Sequence, residues 1–175
     1  MEPSYFKLRK KGNFLNYNTQ EVRGWIIDEM NSIESEIDKI IIGYFKPENS
    51  KMFEMIVLNS SIINIGGKLK ILGNIGNFDS KIINKIRELS SIRNAFAHLP
   101  ITEIFQVKRI KPGDKMTDFE FFGIRSEIDV MNSSGIINKK NPIEEAKKFE
   151  KLNKEILAYI SKYSLLAIQN LQTSD

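Results

Sequence analysis

Apolar positions recur at three- and four-residue steps along most of the chain, the spacing of one face of an α-helix. Val22, Ile26, Met30, Ile33, Ile37, Ile40 and Tyr44 predict a long first helix that ends near Pro47. Asn18, with Glu21 three residues on, reads as a capping box at its start. A second stretch from Asn49 carries Met52, Ile56, Ile63 and Leu69; Gly66-Gly67 predicts a break inside it, and Gly73 and Gly76 close it. Asp79 is the expected N-cap of a third helix running to His98, where Pro100 forces Leu99 out of the α region.

From Glu103 the period shortens. FQVKRI, the turn Lys111-Pro112-Gly113-Asp114 and TDFEFFGI predict a β-hairpin, with Glu127 to Met131 as a third strand. Asn141-Pro142-Ile143-Glu144 then combines an N-cap, a proline at the first helical position and a glutamate two residues later. It opens a last helix whose stripe is Ile143, Ala146, Phe149, Leu152, Ile156, Ile160, Tyr163 and Ala167. The expected fold is therefore mainly α: an antiparallel four- to five-helix bundle with a β-hairpin insertion, residues 103–137, before the last helix. One domain over residues 1–175 accounts for it, with residues 1–17 as a mobile arm.

Composition narrows the chemistry. Hydrophobic residues at 41 % and charged residues at 27 % of 175 exclude a wholly disordered chain and one built around a membrane bundle. The lack of Cys excludes disulfide frameworks, thiol nucleophiles, thiolate zinc sites and iron–sulfur clusters. A single His, His98, excludes a two-histidine metal site within one subunit, while a carboxylate-only magnesium site stays possible but has no motif behind it; no metal or cofactor is expected. Met1 to Leu15 contains no secretory apolar core, and no later run approaches the ~20 apolar residues of a membrane span. Cytoplasmic residence is the expectation. The net charge of +4 permits attraction to polyanions without demanding it.

On a helical wheel with Ile82 at 0° and 100° per residue, Ile86, Leu89 and Phe96 cluster within about 40° of the origin, and Arg93 falls among them at about 20°. A guanidinium on a core-facing position needs an acid, carbonyls or a bound anion to satisfy it. The same rotation puts Asn94, Arg87, His98 and Ser91 between about 120° and 180°, a polar stripe along one flank. Imidazole titrates near neutral pH, and the partial negative charge of a helix C-terminus favours its protonated form. An Arg to hold phosphate, a His to exchange protons and an Asn to orient them suit phosphodiester cleavage.

Ser91-Ile92-Arg93-Asn94-Ala95-Phe96-Ala97-His98 resembles the signature of the HEPN superfamily, an Arg followed by a polar residue, usually Asn, and then by a His. Arg93, Asn94 and His98 match it, and the stretch from Lys68 to His98 is similar to small bacterial HEPN proteins and, more loosely, to the mannitol-operon repressor family. The resemblance implies a homodimer whose motif helices face one another, and metal-independent cleavage of RNA in toxin–antitoxin, defence or stress systems, leaving 2′,3′-cyclic phosphate ends. It further implies that Arg93 binds phosphate, His98 is the acid and base, and Asn94 positions them; a cognate antitoxin or operon partner protein would belong to such a system. Arg87 and Ser91, outside the signature, join as RNA-binding residues from the wheel alone.

Competing readings stay open. Arg93 could be a clamp paired to Glu29, Glu34 or Glu36, and the chain could be a non-catalytic HEPN regulator or interaction module, or a nucleotide- or small-ligand-binding bundle. Gly66-Gly67-Lys68 and Gly73-Asn74-Ile75-Gly76 fit no phosphate-loop pattern and read as breakers. Lys7 to Lys11 reads as a solvated arm, Phe119, Phe121 and Phe122 as strand residues packing on a helix, and Trp25 as a packing residue.

Overall fold

The structure, a computed structural model, describes residues 9–11, 14–16, 19–75, 78–109, 119–132 and 134–172. It is mainly helical, with a small three-stranded antiparallel sheet. A short hairpin, β1 (Arg9–Lys11) and β2 (Phe14–Asn16), precedes α1 (Thr19–Phe45). There follow α2 (Ser50–Met52), which widens into a π-helical turn over Phe53–Val57, then α3 (Ile65–Asn74) and α4 (Ser80–His98). The sheet comprises β3 (Ile101–Arg109), β4 (Phe119–Met131) and β5 (Ile137–Lys140), with β4 in the middle, and α5 (Pro142–Gln172) ends the fold.

The helices form where the apolar stripes place them. Val22, Ile26, Met30, Ile33, Ile37 and Ile41 on α1 are buried, as are Ile82, Ile86, Leu89, Ile92 and Phe96 on α4 and Ala146, Phe149, Ile156 and Ile160 on α5. Each fully buried Ile or Phe side chain contributes about 1.5–3 kcal/mol. Trp25 packs edge-on against Phe149, ring centres 5.5 Å apart, while Asn153 Nδ2 donates to Glu29 Oε2 at 2.6 Å, so α1 and α5 run parallel. The pairs Lys85–Glu155 and Lys148–Glu88 run α5 antiparallel to α4. Three mutually packed helices cannot all be antiparallel, and the sheet between α4 and α5 lets the chain re-enter parallel to α1.

Several boundaries differ from the sequence reading for local reasons. The break expected near Gly66 falls just before it: α3 starts at Ile65, with Asn64 Oδ1 accepting from Gly67 N at 3.0 Å. The two glycines therefore occupy the first turn, where a Cβ on Gly67 would come within 2.8 Å of Ile63 Cγ2. Glu127–Met131 is the continuation of β4; the third strand is Ile137–Lys140, paired with Ile128–Met131 after a turn around Gly135, whose φ is +80°. The insertion accordingly covers Ile101 to Lys140. A register shift between Gln106 and Val107 interrupts the β3–β4 ladder.

Asp79 Oδ1 accepts from Lys81 N at 2.8 Å, and Asn141 Oδ1 from Ile143 N at 2.9 Å, so both predicted N-caps form. Asn18, Gly76 and the turn Lys111-Pro112-Gly113-Asp114 lie outside the described residues, as do most of residues 1–17 and the side chains of Phe119, Phe121, Phe122 and Ala167.

Candidate functional site

The helix α4 is the organising element, because α1, α3, α5 and β4 all pack against it. Its C-terminus is fixed twice. Leu99, ahead of Pro100, is extended at φ −105° and ψ 144°, which ends the helix at His98. Arg23 Nη2 of α1 then donates to Leu99 O at 2.7 Å, tying the carbonyl next to His98 to the start of the first helix. His98 itself is exposed.

His98, Asn94 and Ser91 line one side of a cavity of about 490 Å³, with Met131 and Asn132 from the end of β4 facing them. A larger cavity of about 670 Å³ continues along α4; it shares Ser91 and Asn132 and adds Arg87, Asn138, Lys140 and Lys148. Ser91 Oγ donates to the Arg87 carbonyl at 3.2 Å, a local bond that holds the hydroxyl against its own helix. Arg87 Nη1 donates to Asn84 Oδ1 at 3.0 Å.

Arg93 lies on the other flank, half-buried, and lines neither cavity. Its Nη1 donates to Asn94 Oδ1 at 2.9 Å, while its Nε is buried without a partner. The guanidinium thus reaches the cavity through Asn94: with Oδ1 engaged, the amide Nδ2 remains as the donor. Of the three acids considered as clamps, Glu29 accepts from Trp25 and Asn153, and Glu36 pairs with Lys39 at 2.6 Å. Glu34 senses Arg93 electrostatically but bonds to Lys68 and Ser60.

On that flank the buried ammonium is paired within the protein. Lys68, 1 % exposed, donates to Glu34 Oε1 and Asp38 Oδ2, each at 2.8 Å. Burial raises the proton affinity of Glu34, yet bonds from Lys68 and Ser60 and the charges of Lys68 and Arg93 hold its pKa below the ordinary value. Burial pushes Asp38 up, and its bond to Lys68 does not overcome this. Asp38 Oδ1 is buried and partnerless. Among the described residues, no group of three or more His, Asp or Glu side chains is placed to hold a metal ion, and no helix is long and apolar enough to cross a membrane.

The structure therefore brings Arg87, Ser91, Asn94 and His98 onto one groove and leaves Arg93 behind Asn94. Met131, Asn132, Asn138, Lys140, Lys148 and Arg23 were not singled out from sequence. Five of them sit on β4, β5 and α5, which reach α4 only through tertiary packing, so no local pattern marks them. No family model, curated protein or solved structure matches the chain.

Proposed function

We propose that the protein is a metal-independent endoribonuclease of HEPN type, a helical bundle that cleaves RNA phosphodiesters in the cytoplasm at a cleft formed by two copies, in a toxin, defence or stress role with a cognate antitoxin or operon partner. The observation that carries this reading is the exposed His98 at the end of α4, beside Asn94 in a solvent-facing cavity, with Arg93 bonded to Asn94. A second copy fits the exposed apolar residues Met131, Ile136 and Ile137, since Met131 borders the His98 cavity.

In the reaction, one His98 takes the proton of the ribose 2′-hydroxyl as that oxygen bonds to phosphorus. The P–O5′ bond breaks, and the imidazolium of the second copy protonates the leaving oxygen. The products are a 2′,3′-cyclic phosphate and a 5′-hydroxyl. Asn94 Nδ2, polarised by Arg93, donates to the phosphate as charge develops. Arg93 acts here as a positioning residue.

The test is incubation of an RNA panel in chelator with wild type and with His98→Ala. Wild type yields cyclic-phosphate ends, and the variant is slower by about 10²–10⁴-fold. Equal activity in both, or none in either, removes the reading. The buried, partnerless Arg93 Nε favours a second one, a non-catalytic HEPN regulator or interaction module resembling the mannitol-operon repressor group. There His98→Ala weakens dimerisation and no RNA product forms.

A further inference from the structure

The cavity at His98 does not end there. It meets the larger one at Ser91 and Asn132, so a continuous depression follows α4 from His98 back to Arg87 and Asn84, with the ends of β4 and β5 as its opposite wall. From His98 to Arg87 the helix rises about 16 Å at 1.5 Å per residue.

Its charges are unevenly used. Arg87 donates to the neutral Asn84 amide, and Lys140 forms no ion pair among the described residues, so both cations remain uncompensated. Along the α5 wall, Lys148 Nζ lies 2.6 Å from Glu88 Oε1 and also feels Glu145, so the two carboxylates lining the groove attend that one ammonium. Three cations, Arg87, Lys140 and Lys148, thus face two carboxylates, Glu88 and Glu145, and the groove keeps a positive balance. Neutral donors line the same wall. Asn132 Oδ1 accepts from Ser134 N and Ile136 N, which fixes the side chain and leaves its Nδ2 to donate, and the exposed Asn138 stands beside Lys140.

We infer that this groove is a track for single-stranded RNA flanking the scissile bond, with Arg87 and Lys140 contacting backbone phosphates and Asn132 and Asn138 contacting 2′-hydroxyls or base edges. The assignment of the strand to RNA rests on the ribonuclease reading, because the track opens directly onto His98. Two cations and amide donors along a channel are what a flexible phosphate chain needs, and the 2′-hydroxyl distinguishes RNA from DNA at such contacts.

The experiment uses the full chain carrying His98→Ala, to suppress cleavage, and a fluorescent ten-nucleotide oligouridylate titrated at several salt concentrations. Adding Arg87→Gln or Lys140→Gln lowers affinity, and both together lower it by roughly tenfold; each lost phosphate contact makes the salt slope shallower by about 0.7. Lys140→Glu weakens binding further than Lys140→Gln. Lys162→Gln leaves binding unchanged, because Lys162 follows Tyr159, which bonds Asp79 N at the opposite end of α4. In the wild-type background, the Arg87 and Lys140 substitutions slow cleavage of the ten-mer but not of a dinucleotide, which is too short to reach them. Unchanged ten-mer affinity in the double variant overturns the track even if wild type cleaves RNA. Equal affinity for the deoxy ten-mer overturns its assignment to RNA. Weakened binding with no cleavage of either substrate by wild type keeps the track and removes the ribonuclease.

Discussion

On the flank of α4 that faces α1 and α3, Lys68 is sealed between Glu34 and Asp38, and Arg93 lies close enough to bias Glu34. On the flank that faces β4 and β5, Arg87, Asn94 and His98 are exposed along a groove, and no carboxylate among the described residues is bonded to any of them. Similar groups thus meet opposite fates across one helix. Where charges are buried they must be paired within the protein, and that pairing leaves them nothing to offer a ligand. Where they stay exposed and uncompensated, the fold gains little from them, and their interactions are left for a partner.

The largest expected effect breaks the sealed flank. Lys68→Met leaves two carboxylates facing one another without their cation, and urea unfolding should show a loss of about 3–5 kcal/mol, partly recovered by adding Asp38→Asn. A loss below about 1 kcal/mol, the range of an exposed pair, would show that the flank is not sealed. Away from both flanks, Asn141→Ala removes the cap of α5 and should cost about 1 kcal/mol in the same measurement, an internal scale for the comparison.

A smaller effect lies in the acid response. Glu34 has a lowered pKa, so its stabilisation is present above its unfolded value and is lost as pH falls through the folded one. Asp38 has a raised pKa, so it carries a penalty while ionised that is relieved on acidification. The two offset each other. Asp38→Asn removes the second contribution, and its stability should decline relative to wild type as pH is lowered through the carboxylate range. A variant that gains on wild type under acid would reverse the assignment. The smallest effect belongs to the open flank: His98→Ala should shift monomer stability by no more than about 0.5 kcal/mol, read as a melting temperature at low protein concentration. A large shift would place the imidazole in the packing rather than in the groove.

Much of the helical framework was legible from local pattern. Asp79 and Asn141 announced their helices because a side-chain oxygen three bonds from the backbone can reach the next free N–H groups without help from the rest of the chain. The break near Gly66 was legible, but Gly66-Gly67 reads as a breaker in isolation, whereas Asn64 makes that same pair the first turn of α3. Pro142–Tyr163 follows its stripe, since a long amphipathic face has one way to be buried.

The site was half legible. The wheel placed Arg87, Ser91, Asn94 and His98 on one flank because rotation along a helix is a local property, and the groove lies along that flank. The wheel also set Arg93 apart from them, but could not say that it would reach Asn94 or stand near Glu34. Which acid takes Lys68, and which strand walls the groove, are decided across 34 residues in one case and by the β4–β5 pairing in the other. The sequence by itself determined the capped ends of α4 and α5 and which side chains share a face, because those depend on neighbours a few bonds away. Only the tertiary structure decided what each apolar face was buried against and which polar side chains ended up paired inside or along the groove, because that depends on what the rest of the chain brings against them.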